Sequence, residues 1–116
     1  VELARRTGAT IYLGAGSGAT FLHQPVQEGD KISLGNLTLT FRTTPGHTPE
    51  GVCVLAQESE AAGPQQIFTG DTLFIGDVGR PDLVGSKGYT AEQMAQMLYA
   101  SLRDKILPLP DSIEIW

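Results

Sequence analysis

The sequence has 116 residues, a formal net charge of −5 and eight scattered Lys and Arg residues. That length allows one hydrophobic core, and that charge leaves no basic stripe for nucleic acid, which is excluded as a partner. The single cysteine, Cys53, excludes an internal disulfide, and no apolar run approaches the ~20 residues that span a bilayer, so a soluble, reducing, cytoplasmic setting is expected.

The chain opens on VELARRTG, which lacks the apolar core of a signal peptide and reads as the last turn of a helix stopped by Gly8. ATIYLG (Ala9 to Gly14) predicts a short strand. The glycine-rich AGSGAT after it opens no helix and is read as a turn, not a phosphate cradle. In FLHQPVQEGDKISLG, Gly29 and Asp30 mark a tight connection. LTLTFRTT (Leu37 to Thr44) alternates strictly, with Leu37, Leu39 and Phe41 on one face of a half-buried strand.

VCVLAQ (Val52 to Gln57) and QQIFTG (Gln65 to Gly70) predict two further strands, joined by the polar loop ESEAAGPQ. Cys53 alternates with Val52 and Val54 and is expected to be a small buried hydrophobe. Leu73 to Ser86 carries too many Gly, Pro and Asp residues for regular structure. A helix then places Met94, Met97, Leu98, Leu102 and Ile106 on one face. Thr90 and Gln93 have capping-box spacing at its start, and LPLP ends it. The last residues, DSIEIW, alternate as a strand. With the helix end at the start, this predicts an internal piece of a longer chain. Strands followed by a helix and a strand imply an α+β fold, a mixed sheet with a packed helix.

Two residues stand out chemically. His47, in TPGHTPEG, is flanked by Gly46, Pro45 and Pro49 just past a strand end, where functional groups are commonly mounted; the alternative is a histidine satisfied within its own turn. Asp71, in FTGDTLF, emerges from an apolar strand, where a charge is costly unless paired or metal-bound; the alternative is a turn-forming or helix-capping aspartate. If their strands are neighbours, both side chains open at one sheet edge. An imidazole and a carboxylate are two-thirds of the triad that binds non-haem iron(II), and part of many zinc sites. His23 is read as a surface or structural histidine.

TPGHTPEG (Thr44 to Gly51) followed by FTGDTLFIGDVGRPDL (Phe68 to Leu83) resembles the metallo-β-lactamase superfamily, and within it the persulfide (sulfur) dioxygenases, including bacterial members fused to rhodanese domains. The resemblance implies an αββα sandwich with His47 and Asp71 as metal ligands and Fe2+, or alternatively Zn2+, as the metal. Gly79, Arg80 and Asp82 follow the dioxygenase pattern, whereas glyoxalase II thioesterases continue with an aromatic residue and a Glu-Gly pair. Val78 stands where both groups often have cysteine. The family's upstream His-x-His-x-Asp-His loop and downstream histidine are missing, so residues 1–116 are expected to be a partial domain.

Arg80 and Asp82 are candidates for substrate binding or support of the site, the guanidinium suiting a substrate carboxylate; the alternative is a surface ion pair of Arg80 with Asp82 or Asp77. The activity implied by the resemblance is oxidation of glutathione persulfide, or a similar low-molecular-weight persulfide, to sulfite with O2. Zinc-dependent thioester hydrolysis of the glyoxalase II kind is the alternative. A third reading is an inactive fragment or interaction module.

Overall fold

The computed structural model describes residues 1–59, 61–83 and 88–116. A short helix, α1 (Glu2–Thr7), is followed by β1 (Tyr12–Gly14), β2 (Gln24–Val26), β3 (Lys31–Leu34), β4 (Leu37–Thr43), β5 (Val52–Gln57) and β6 (Gln66–Phe68). Two small strands, β7 (Leu73–Phe74) and β8 (Asp77–Val78), precede helix α2 (Ala91–Ser101), a π-helical turn (Leu102–Ile106) and β9 (Glu114–Ile115).

β3, β4, β5, β6 and β9 form one sheet in that order. Its first four strands run antiparallel, while β9 adds to β6 in parallel. The architecture is therefore mixed, as the order of elements implied. β1 and β2 form a separate parallel pair.

Cross-strand partners share a face, so the register assigns the two sides of the sheet. Phe41 lies opposite Val54, which lies opposite Phe68, and the Phe41 ring stands 5.7 Å from that of Tyr12 in β1. The other side carries Cys53, Leu55 and Ile67. These pack with Ile106 from the π-helical turn, and Leu102, Leu109 and Ile113 close around them. Burying Ile67 alone, at 1% exposure, contributes roughly 1.5–3 kcal/mol.

The α2 N-terminus has the expected capping box. The Thr90 hydroxyl accepts from Gln93 N–H, and the Gln93 side chain accepts from Thr90 N–H. Met94, Leu98 and Ile106 are buried, but the α-helix ends at Ser101 rather than continuing to Ile106. Leu107 N–H, the last donor before Pro108, closes a wide turn on Leu102 O at 2.9 Å.

Other expectations need revision. The first strand covers only Tyr12–Gly14, and β6 only Gln66–Phe68. The segment from Leu73, expected to be irregular, contains the β7–β8 hairpin, whose turn is Ile75-Gly76; a two-residue glycine turn needs little strand on either side. Residues 84–87 of that segment lie outside the described residues. β4 is half-buried on both faces, because structure covers each side of the sheet. No helix among the described residues is long and apolar enough to cross a membrane.

Candidate metal centre

His47 and Asp71 follow the ends of β4 and β6, which are not neighbours: β5 lies between them and runs antiparallel to both. The C-terminal ends of β4 and β6 therefore point to the same edge of the sheet. There, His47 Nε2 stands 3.4 Å from Asp71 Oδ2. Asp71 occupies the turn between β6 and β7, closed by Thr72 N–H donating to Thr69 O at 3.0 Å. Its side chain is 67% exposed, so the cost of burying a charge does not constrain it; its neighbour does.

The other ring nitrogen settles the tautomer. His47 Nδ1 lies 3.1 Å from the main-chain oxygen of Arg80. A carbonyl can only accept, so Nδ1 carries the proton, and in the neutral ring Nε2 presents a lone pair to the carboxylate. Two acceptors facing each other need a cation between them, either a proton on the ring or a metal. Two donor atoms about 2.1 Å from a shared ion stand about 3.0 Å apart at the roughly 90° of a facial site and about 3.4 Å apart at the roughly 110° of a tetrahedral one, so the observed spacing is of the size a shared metal needs, at its wide end. A ligating imidazole whose other nitrogen is held by a carbonyl is the usual supporting arrangement.

Gly79, at the end of β8, makes this approach possible. A Cβ on it would lie 1.9 Å from Asp71 O and 2.8 Å from His47 Cβ, so the hairpin packs directly on both residues. Below them runs a buried polar layer. Thr44 Oγ1 contacts Thr72 Oγ1 at 3.1 Å and Cys53 Sγ at 3.3 Å, and Cys53 Sγ donates to Thr69 O at 3.6 Å. Thr69 Oγ1 in turn donates to Leu73 O and Trp116 O. The two loops are thus tied beneath the candidate ligands. Cys53 is buried as expected, but as a member of this layer and not solely as a hydrophobe. Burial pushes its thiol pKa up, while hydrogen bonds from Thr44 and Thr72 and the Lys105 charge act the other way.

Arg80 and Asp82 form a bidentate pair, Nε to Oδ1 at 3.0 Å and Nη2 to Oδ2 at 3.1 Å. Both side chains are exposed. The pairing raises the Arg80 pKa and lowers that of Asp82. Asp77 caps the Val78 N–H with its own side chain instead. The main-chain role of Arg80 had no signal in the sequence, since any residue supplies a carbonyl.

Among the described residues no group of three or more His, Cys, Asp and Glu side chains converges to hold a metal. A pocket of about 180 Å3 at the site is lined by His47, Thr48, Gly51, Val52, Thr69, Asp71 and Thr72. A larger cavity of about 520 Å3 lies elsewhere, against α1, and includes Phe21, Leu22 and His23. It has more volume but no facing donor pair, so the chemistry belongs to the smaller pocket. His23 Nδ1 is satisfied by Phe21 O at 2.8 Å.

Residues 3–116 match the metallo-beta-lactamase superfamily, and the chain belongs to it. Among solved structures, a metallo-beta-lactamase from Staphylococcus aureus subsp. aureus COL matches with a TM-score of 0.84 at 38% identity, covering 99% of this chain and 35% of that one. ETHE1 from Myxococcus xanthus matches with a TM-score of 0.77 at 29% identity over 99% of this chain and 44% of that one. The protein TTHA1623 in a di-iron-bound form has a TM-score of 0.70 at 25% identity, covering 99% and 59%. An uncharacterized protein of Mycobacterium leprae is 38% identical over 97 residues, 78% of this chain and 39% of that protein. The mitochondrial persulfide dioxygenase ETHE1 of Bos taurus is 34% identical over 91 residues, 78% of this chain and 31% of that protein. The chain therefore spans about two fifths or less of the length of these curated relatives.

Proposed function

We propose that the protein is an iron-dependent persulfide dioxygenase to which these residues contribute one imidazole and one carboxylate ligand. The observation that carries this reading is the lone-pair face of His47 Nε2 set 3.4 Å from Asp71 Oδ2, with the ring proton committed to Arg80 O. The similarity to a relative named persulfide dioxygenase, and to neighbours that include a di-iron form, supports the choice of chemistry.

In the proposed reaction a persulfide, O2 and water give the thiol, sulfite and protons. When bound, iron(II) supplies the one-electron chemistry that lets O2 react with closed-shell sulfur. The chain's own residues hold the site in shape. Arg80 O keeps the imidazole in one tautomer, Gly79 lets the hairpin close on both ligands, and the Thr44 to Thr72 contact ties the loops below. The exposed Arg80 guanidinium can exchange Asp82 for a substrate carboxylate such as those of glutathione. The remaining metal ligands come, on this proposal, from outside these 116 residues.

The test is metal content together with persulfide-dependent oxygen uptake, on full-length protein reconstituted without oxygen. About one iron per chain with oxygen uptake is expected, and Asp71→Ala should remove both. Retained iron and normal uptake in Asp71→Ala would take Asp71 out of the site. Zinc with thioester cleavage and no oxygen uptake would make the protein a hydrolase of the glyoxalase II kind.

A further inference from the structure

Three points just before His47, at the end of β4 and in the loop that follows it, are held by α2 and the π-helical turn that continues it. Ser101 Oγ donates to the carbonyl of Pro45 at 2.8 Å. Lys105 Nζ, from the π-helical turn, donates to the carbonyl of Thr43 at 2.6 Å. Gly46, the residue directly before His47 and at φ +148°, lies so close to α2 that a Cβ would stand 2.3 to 2.6 Å from Leu98 backbone and Cβ atoms.

Ser101 is out of place on a buried stripe that otherwise carries Met94, Leu98 and Ile106, and it is itself 3% exposed. A buried hydroxyl costs stability unless its bond is made, and a serine within a helix usually turns back to the carbonyl four residues earlier. This one reaches a loop 56 residues away. An alanine would fill the same position with no polar group to satisfy, so the hydroxyl is explained by what it holds.

We propose that Ser101 is a positioning residue for His47. By pinning the Pro45 carbonyl it fixes how far the loop stands from the helix, which keeps His47 Nδ1 within reach of Arg80 O and Nε2 aimed at Asp71. The consequence for metal binding rests on the iron-site reading above; the consequence for the ring does not.

The experiment uses full-length protein labelled with 15N at histidine, observed first without metal at a pH where the rings are neutral, then titrated with Zn2+ and, anaerobically, with Fe2+. Wild type should show His47 as a single Nδ1–H tautomer. Ser101→Ala should show a mixture of tautomers and bind metal about ten-fold more weakly, a size typical of groups that orient a ligand. Ser101→Thr keeps the hydroxyl and should restore both. Ile67→Val, a core change packed on Cys53, Leu55 and Ile106, should leave both at wild-type values. A single tautomer with unchanged metal affinity in Ser101→Ala would overturn the proposal, as would equal shifts in Ile67→Val. If no variant binds metal, the iron-site reading fails, while the tautomer comparison still decides the role of Ser101.

Discussion

Arg80 holds His47 by its main chain and Asp82 by its side chain: the carbonyl is 3.1 Å from Nδ1, while the guanidinium makes two bonds to the Asp82 carboxylate. The two roles separate by substitution. Arg80→Ala keeps the carbonyl, so metal content and melting temperature should stay at wild-type values while, on the proposed dioxygenase activity, the KM for a carboxylate-bearing persulfide rises. Metal analysis beside steady-state kinetics checks this, and loss of metal would mean that the side chain supports the ligands after all.

Gly79 makes the opposite prediction. A methyl group there meets the Asp71 carbonyl at 1.9 Å and His47 Cβ at 2.8 Å, so Gly79→Ala must push the hairpin away from both. Overpacking of this kind costs about 1–3 kcal/mol. Because the displaced atoms belong to the candidate ligands, metal affinity should fall at least ~10-fold, beyond what a similar loss of stability elsewhere produces. Urea unfolding and metal titration on the same variant report the two effects separately.

What could be read from the sequence follows the range of the interactions. Strict alternation placed β4, and Thr90 with Gln93 placed the start of α2, because both signals are local. The β7–β8 hairpin was missed since its strands are too short to show a period. The meeting of His47 and Asp71 could be anticipated from their places after strand ends, although β5 separates those strands. The groups around them are another matter. A main-chain carbonyl at Arg80 leaves no trace in residue type, and the partnership of Glu28 with Lys105 spans 77 residues. Ser101 did leave a trace, as a polar residue three positions after Leu98 on an apolar stripe, but its partner could not be inferred.

Cys53 should be chemically silent in the native state. It is 0% exposed, and burial pushes its thiol above the usual range, so the thiolate that reacts with alkylating agents is scarce. Iodoacetamide labelling followed by mass spectrometry across a urea series should rise with the same midpoint as the loss of circular dichroism. Fast labelling without denaturant would show that the layer beneath the site opens on its own.

The acid limit of stability should depend on Glu28. Its carboxylate accepts from Lys105 Nζ at 2.7 Å, from Thr43 N–H at 2.7 Å and from the Thr43 hydroxyl at 2.8 Å, with Arg42 at 3.3 Å on the other oxygen. Burial alone would raise its pKa, but hydrogen bonds from Lys105 and Thr43 and the Lys105 charge outweigh that and hold it at about 2, against an ordinary 4.5. In the window between those values the unfolded chain takes up the proton and the folded one does not. The stabilisation is therefore complete above about 4.5 and lost as the pH falls toward about 2. The carboxylate is 42% exposed, so solvent screening limits its contribution to about 1 kcal/mol. Lys105→Met should lower stability by about that amount at pH 7, and its deficit against wild type should shrink steadily through the window. Denaturant unfolding of both proteins at pH 7, 4 and 2.5 checks this; a deficit that does not change with pH would assign the loss to the Lys105 bonds with Thr43 rather than to the pairing with Glu28.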